Sequence, residues 1–149
     1  MSYTTILARI KTLCQTVAGV VRDYEIVADD ENTFIGLLRA ESGAIDCVTI
    51  SRGSCPSDEA DMVRYNHRRH QFNIKYFYGI SSNGSSEPAF QAKLEALQDA
   101  FDADPQLNGT VLKADALQIP KIQNQQFGQT LVCHYAECEL EAIERVSRV

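Results

Sequence analysis

Apolar side chains recur at a helical spacing in two separate parts of the chain. Within residues 4–18 they fall on one stripe, made of Ile6, Ile10, Leu13 and Val17. After the polar loop "SSNGSSEP" the spacing returns more regularly, at Phe90, Leu94, Leu97 and Phe101. Each stripe predicts an amphipathic helix with one face on a core. Ser86 is the expected N-cap of the second helix, with Pro88 in its first turn.

A period of two residues marks the strands. From Arg64 to Ile80, alternation predicts that one side of an extended segment carries His70, Phe72, Ile74, Tyr76 and Tyr78. From Gly128 to about Val146, apolar residues alternate with a second set, namely Cys133, Tyr135, Glu137, Glu139 and Glu141. Both patterns predict long, half-buried strands.

The remaining segments give shorter signals. The run "NTFIGLLRAESGAIDCVTISRG" predicts two short strands around "ESG", in the manner of a hairpin. Acids, glycine and proline in Arg52–Met62 predict a solvated connection. Thr110–Ile119 is a further strand candidate, and we expect the polar run "PKIQNQQFG" to separate it from the last strand.

This order of elements predicts an α+β fold. A helix, a hairpin, a long strand, a second helix and two long strands are most simply layered as a mixed, mainly antiparallel β-sheet with two helices packed on one face. At this chain length we expect residues 1–149 to form a single domain.

Composition narrows the classes of protein. A hydrophobic content of 44% and a charged content of 23% are those of a globular chain. No apolar run approaches the roughly 20 residues that a membrane helix needs. The net charge of −6 disfavours nonspecific binding to nucleic acid. The first residues lack the pattern of a secretory signal, and the five cysteines have no repeated spacing, so we expect reduced thiols in a cytosol.

The stretch "VRYNHRRHQF", residues 63–72, concentrates side chains that can carry chemistry. His67 and His70 are an odd number of residues apart, so a strand directs them to opposite faces and we do not expect them to bind one metal ion. The arginines are suited to bind phosphates and Tyr65 is suited to stack on a nucleobase, which is the chemistry of a nucleic-acid site. The upstream acids "SDEAD" and the lack of a second basic cluster argue against such a site. The favoured interpretation is an exposed strand whose arginines pair with carboxylates of the same chain or of a neighbour.

No stretch of the sequence forms a catalytic or cofactor motif. In "CHYAEC", the adjacent Cys133 and His134 diverge on a strand, and we expect His134 to be a core histidine satisfied by a backbone group. The glycines form neither a G-x-G-x-x-G nor a phosphate-binding loop. We therefore expect a protein that is not an enzyme and that has no cofactor and no metal. A small enzyme that uses Cys133 or Cys55 is an alternative, and a nucleic-acid adaptor is another.

The second half of the chain carries an ordered series of motifs. A helix "AFQAKLEALQDAFDADP" of f-x-x-l-x-x-l type precedes "LNGTVLKADALQIPKI", an l-x-G turn with a strand and loop, and a final strand "FGQTLVCHYAECELEAIERV". Upstream, "YNHRRHQFNIKYFYG" is an arginine-bearing strand that runs into F-x-I/V-x-x-Y. This series resembles the tail terminator and tail-completion proteins of tailed bacteriophages. The resemblance covers roughly residues 64–146, and residues 1–63 match it in layout alone.

The resemblance implies a structural subunit. Such proteins form a hexameric ring on the head-proximal end of the tail tube, where the ring stops tube growth and offers a docking surface to the head or neck. The implied partners are the tail tube protein and neck, head-completion or connector proteins, with DNA only passing through the lumen. The implied location is the host cytoplasm during assembly and then the virion. No catalytic residue, cofactor or membrane is implied, and another neck or head-completion protein is the alternative.

A cyclic ring brings different faces of neighbouring subunits together. The arginine-bearing strand and the acid-bearing last strand are complementary in charge, and such charges set register more than affinity. We therefore expect the interface between subunits to include Arg64, Arg68, Arg69, Glu137, Glu139 and Glu141.

Overall fold

The computed structural model describes residues 3–28, 30–61, 64–129 and 131–147. The helices are α1 (Tyr3–Gln15), α2 (Glu31–Leu38) and α3 (Ser86–Asp102). The strands are β1 (Val20–Arg22), β2 (Asp46–Ser54), β3 (Ser57–Asp61), β4 (Tyr65–Gly79), β5 (Lys113–Ala114), β6 (Gln118–Phe127) and β7 (Leu131–Ser147).

One open sheet contains the seven strands of the described residues. The order along its main path is β1, β2, β4, β7 and β5; β3 pairs with β4 next to β2, and β6 pairs with β7 next to β5. Among the described pairings β1 and β2 run parallel, and the others are antiparallel. The predicted α+β class, with a mixed and mainly antiparallel sheet, is confirmed.

The two long strands predicted from alternation form the centre of the sheet. β4 and β7 pair without interruption from Tyr65 opposite Ser147 to Gly79 opposite Cys133. One face of this pair is apolar and buried, and on β4 it includes Phe72, Ile74 and Tyr76. Side chains alternate between the two faces of the sheet along both strands, so each face has its own set of side chains.

Helices α1 and α3 pack on the apolar face and form the main core with it. The residues that α1 buries are Ile6, Ile10, Leu13 and Cys14. The apolar residues that α3 buries are Phe90, Leu94, Leu97 and Phe101. Both helical stripes seen in the sequence are therefore confirmed, and Val17 packs against the same core just beyond the end of α1.

A third helix, α2, lies on the opposite face and corrects the prediction of two helices. Asp30 caps it, because its carboxylate accepts the backbone N–H three residues further on at 2.7 Å. Phe34 and Leu38, four residues apart, pack against a smaller cluster on this face. The segment was predicted as a strand from its apolar, aromatic composition, but its spacing and cap suit a helix. Of the two strands predicted around "ESG", the second is confirmed as β2, and a bridge between Arg39 and Ile45 joins the two sides of the turn.

The predicted loop Arg52–Met62 is also corrected. It contains the end of β2 and the whole of β3, which pairs with β4 so that Ser57 lies opposite Arg68. Met62 lies outside the described residues. Polar, acidic composition suggested a loop, but an edge strand tolerates such residues because its backbone pairs while its side chains reach solvent.

The strand before β7 lies later than predicted. Within Thr110–Ile119 the structure places the two-residue β5 and only the start of β6. Most of the run "PKIQNQQFG", predicted as a connection, belongs to β6. Because β6 is at the edge of the sheet and mostly exposed, it has no apolar alternation that a pattern could detect. Pro120 lies at a register shift between Gln118 and Lys121, an irregularity that accommodates its missing N–H.

Candidate functional site

The face of the sheet opposite α1 and α3 is polar where α2 does not cover it. On β4 this face carries Arg69, Gln71, Asn73 and Lys75, and on β7 it carries Glu137, Glu139 and Glu141. We call these seven residues the charged face. The register sets Lys75 opposite Glu137 and Gln71 opposite Glu141. Opposite charges therefore lie across from each other at Lys75 and Glu137, whereas Gln71 is neutral.

Arg69 is the most connected residue of the charged face. Its guanidinium donates to Asp58 at 2.9 Å and to Glu141 at 3.1 Å. These hydrogen bonds, first that to Asp58 and then that to Glu141, raise the pKa of Arg69. The arginine thus ties the edge strand β3 to the central strand β7 across β4.

Two lysines make weaker links at the same face. Lys75 donates to Glu25 at 2.7 Å, and this hydrogen bond holds the pKa of Glu25 below its ordinary value. Lys121, on β6, lies 3.8 Å from Glu137 and over the ring of Tyr135. These are exposed pairs, which typically contribute less than about 1 kcal/mol each.

The six residues expected at a subunit interface do not form one group. Arg69, Glu137 and Glu141 already have partners within the chain. Arg68 and Glu139 are exposed, and neither has an ion-pair partner among the described residues; the same holds for Arg64, just before β4. Arg68 also faces the α1 side of the sheet, opposite to Arg69, because neighbouring residues of a strand alternate. Their role at an interface stays a prediction.

Two strands on opposite sides of the open sheet, β3 and β6, differ in charge; β1, with Arg22, and β5, with Lys113, lie at the ends of the main path. Edge strand β3 has the sequence "SDEAD", with three acids and no base. Edge strand β6, on the other side of the sheet, has the sequence "QIPKIQNQQF", with a lysine and no acid. Edge strands carry backbone N–H and C=O groups that are free to pair with another chain.

On the apolar face, beside the start of α1, three elements bring ionisable groups together. His70 of β4 lies with Nε2 3.1 Å from Oε1 of Glu144 on β7. Its Nδ1 is 3.4 Å from Sγ of Cys55, in the turn between β2 and β3, and 3.4 Å from a guanidinium nitrogen of Arg52. Tyr3 stacks on the imidazole and lies under Arg52. We call Cys55, His70 and Glu144 the thiol cluster.

His134 makes a second buried cluster, at the N-terminus of α3. Its Nδ1 is 2.7 Å from Oδ1 of Asn124, and its Nε2 is 2.9 Å from the hydroxyl of Ser86. That hydroxyl also accepts the N–H of Ser81 at 2.9 Å. Two predictions are corrected: side chains rather than a backbone group satisfy His134, and Ser86 lies inside α3 instead of capping it, with Ser85 at the N-cap. The buried hydroxyl thus ties α3 to β7 and to the loop that follows β4.

The other four cysteines are buried thiols. Burial raises the pKa of Cys133 to about 11 and that of Cys47 and Cys138 to about 12, and it also raises the pKa of Cys14. Cys133 faces the α2 side of β7 and His134 faces the α3 side, as predicted from their adjacency. Because the thiolate is the nucleophile, this burial disfavours an enzyme that uses Cys133.

The histidine pair of β4 is separated in the same way. His67 and His70 point to opposite faces, as the odd spacing predicts. In the described residues there is no group of three His, Cys, Asp or Glu side chains with the geometry of a metal site. None of the helices described is long and apolar enough to cross a membrane.

The sequence indicated Cys55 as a candidate nucleophile, but it gave no indication that Arg52 and Glu144 are neighbours of His70. The signal for Glu144 was present in the alternation of β7, because the residue falls on the apolar side with Cys138, Leu140 and Ala142. An acid at a buried position calls for a partner on a neighbouring strand.

Among models of known families none matches this chain, and no curated protein matches it.

Proposed function

We propose that this chain is a structural subunit of a bacteriophage tail, of the tail terminator class, without catalytic activity. In this role it caps the head-proximal end of the tail tube, ends tube growth and offers a docking surface to the neck or head. The observation that carries the proposal is the pair of unlike edges on an open sheet. The resemblance over residues 64–146 adds support, because those residues include β4, α3, β6 and nearly all of β7.

Unlike edges favour a head-to-tail contact over a self-complementary one. A contact between the acidic edge of β3 and the basic edge of β6 joins two different surfaces, so repetition gives a closed ring when the rotation between subunits closes. Backbone pairing at free strand edges supplies affinity, and the opposite charges supply register. In the proposed ring the number of subunits is six.

The acidic character of the chain suits a lumen through which DNA passes. Glu139 is exposed on the charged face, and the net charge of the chain is −6. A surface of this sign makes few lasting contacts with phosphates, so DNA that crosses the ring on ejection meets little adhesion. The proposed partners are accordingly proteins, namely the tail tube protein and a neck or connector protein.

Deletion of the gene in its source phage or prophage tests the proposal. We expect negative-stain electron microscopy of the lysate to show overlong tail tubes together with filled heads that carry no tail. A wild-type copy of the gene supplied in trans should restore tails of normal length. Tails of normal length in the deletion strain would overturn the terminator role, and normal tails beside unjoined heads would assign the chain to the neck instead.

A residue-level prediction concerns Arg68. Arg68→Glu is expected to weaken assembly on purified tail tubes about tenfold, because it reverses an exposed charge beside the edge strand β3, and such charges set the register of a contact. The free energy of unfolding should change by less than about 0.5 kcal/mol, since the side chain is exposed and has no ion-pair partner among the described residues. Light scattering in the presence of purified tail tubes measures assembly.

The matched control is Lys11→Glu. It makes the same change in net charge on α1, which belongs to neither β3 nor β6, and disturbs one long contact of 3.9 Å to Asp23. Equal assembly of Arg68→Glu and the wild type would remove Arg68 from the interface. Arg69→Glu is less informative, because it would place a third carboxylate between Asp58 and Glu141 and loosen β3 within the subunit.

A further inference from the structure

The thiol cluster has the arrangement of a nucleophile, a base and an orienting acid. Cys55 Sγ is 3.4 Å from His70 Nδ1, and His70 Nε2 is 3.1 Å from Glu144 Oε1. His70 and Glu144 are buried, with 2% and 1% of their surface exposed, whereas Cys55 is half-buried. A thiol that solvent can reach therefore lies against a base that solvent cannot reach.

The hydrogen bonds define the tautomer of His70. Arg52 presents a guanidinium N–H 3.4 Å from Nδ1, and a guanidinium is always a donor. Nδ1 is therefore the unprotonated acceptor, and the ring proton lies on Nε2, which donates to Glu144. In this tautomer Nδ1 is unprotonated, and it takes the proton of the Cys55 thiol in place of its contact with Arg52.

A second observation concerns Glu144. Its other oxygen, Oε2, is buried without a hydrogen-bond partner among the described residues. A buried carboxylate with a single donor is stabilised when that donor gains positive charge. Transfer of the Cys55 proton to His70 places that charge beside Glu144.

We propose that Cys55 is a site of thiol–disulfide exchange with small disulfides, with His70 as the base and Glu144 as the residue that positions it. The thiol proton moves to His70 Nδ1, and the Cys55 sulfur attacks one sulfur of the disulfide. The S–S bond of the reagent breaks as the new S–S bond forms, and the departing thiolate takes the proton from His70. Cys55 is oxidised to a mixed disulfide, half of the reagent is reduced to a thiol, and no further oxidant is needed.

This reaction needs little beyond what the cluster holds. Exchange at sulfur develops no oxyanion and requires no deep substrate cavity, only an accessible thiolate. The other four cysteines are buried with raised pKa values, so they should not compete in the folded chain. The inference does not depend on ring assembly, since it concerns the chemistry of one subunit.

The experiment uses the full chain and oxidised glutathione as the probe disulfide. Peptide-resolved mass spectrometry follows the mixed disulfide at each cysteine with time, in buffer and in 8 M urea, a concentration on the order of that which unfolds most small domains. We expect Cys55 to react first in buffer, and at least about tenfold faster than the same cysteine in urea. Cys55→Ser should remove the fast adduct.

Two variants test the roles of the partners. His70→Gln should slow exchange at Cys55 about tenfold, and Glu144→Gln should change the pH profile of the exchange rate, because it removes the carboxylate that positions the base. Circular dichroism checks that each variant is folded. Should a variant fail to fold, the comparison of buffer with urea on the wild-type chain still decides. An equal rate in both solvents, a first adduct at another cysteine, or an unchanged rate in folded His70→Gln would overturn the proposal.

Discussion

Replacement of His70 by leucine is expected to lower the free energy of unfolding by about 3–5 kcal/mol. Glu144 is 1% exposed, and the imidazole of His70 is the group that bonds its Oε1 at 3.1 Å. Its Oε2 has no hydrogen-bond partner among the described residues. The substitution therefore leaves a buried carboxylate without a donor, which is one of the most costly changes in a protein interior.

The double variant His70→Leu, Glu144→Leu is the matched control. Because it removes the donor and the acid together, it leaves no buried charge, and we expect it to regain most of the stability lost by His70→Leu. Glu144→Leu alone should cost less than His70→Leu, since His70 keeps its contacts to Cys55 and Arg52. Urea unfolding, monitored by circular dichroism, measures the free energy of unfolding of all three variants. If the double variant is no more stable than His70→Leu, the pair is not coupled.

Alternation predicted the centre of the sheet because it is a local consequence of burial on one face. β4 and β7 were both found in this way, with bounds close to those observed. The same principle failed for β3 and β6, because an edge strand in contact with water keeps its backbone pairs without an apolar pattern. For α2 the composition indicated a strand while the cap at Asp30 and the four-residue spacing indicated a helix. The balance there depends on packing, which local sequence does not contain.

The candidate sites illustrate a similar limit. The odd spacing along a strand was enough to predict that His67 and His70, and likewise Cys133 and His134, lie on opposite faces of the sheet. The choice of neighbouring strands is not local, however. Arg69 and Glu141 were both expected at the interface between subunits, with pairing inside the chain left open, and the structure pairs them within one chain because β4 and β7 are adjacent. Cys55 comes to His70 for the same reason, since the turn after β2 folds back over the end of β4.

Phe90→Ala is expected to lower the free energy of unfolding by about 3–5 kcal/mol. Phe90 is 1% exposed, and its ring is one of the four apolar side chains that α3 buries in the main core. The ring stacks on Tyr78 with centroids 5.7 Å apart and on His134 at 5.4 Å, and it meets the edge of Tyr76 at 5.5 Å. Alanine would leave a cavity between α3 and β4 that these rigid side chains cannot collapse to fill.

Two further variants show whether the loss comes from this cavity. Phe90→Leu should cost less than Phe90→Ala, because it restores much of the volume, and Tyr24→Ala should cost less than about 0.5 kcal/mol, because Tyr24 is 47% exposed. Each difference in the free energy of unfolding is measured from the midpoint of urea unfolding, with an unchanged dependence of that free energy on urea concentration. A loss below about 1.5 kcal/mol for Phe90→Ala would contradict the described docking of α3. Because the ring of Phe90 is interior and packs on β4 and β7 rather than on β3 or β6, Phe90→Ala that is still folded at low temperature should assemble on tail tubes like the wild type. The helix layer would then be responsible for stability, and the edges of the sheet for assembly.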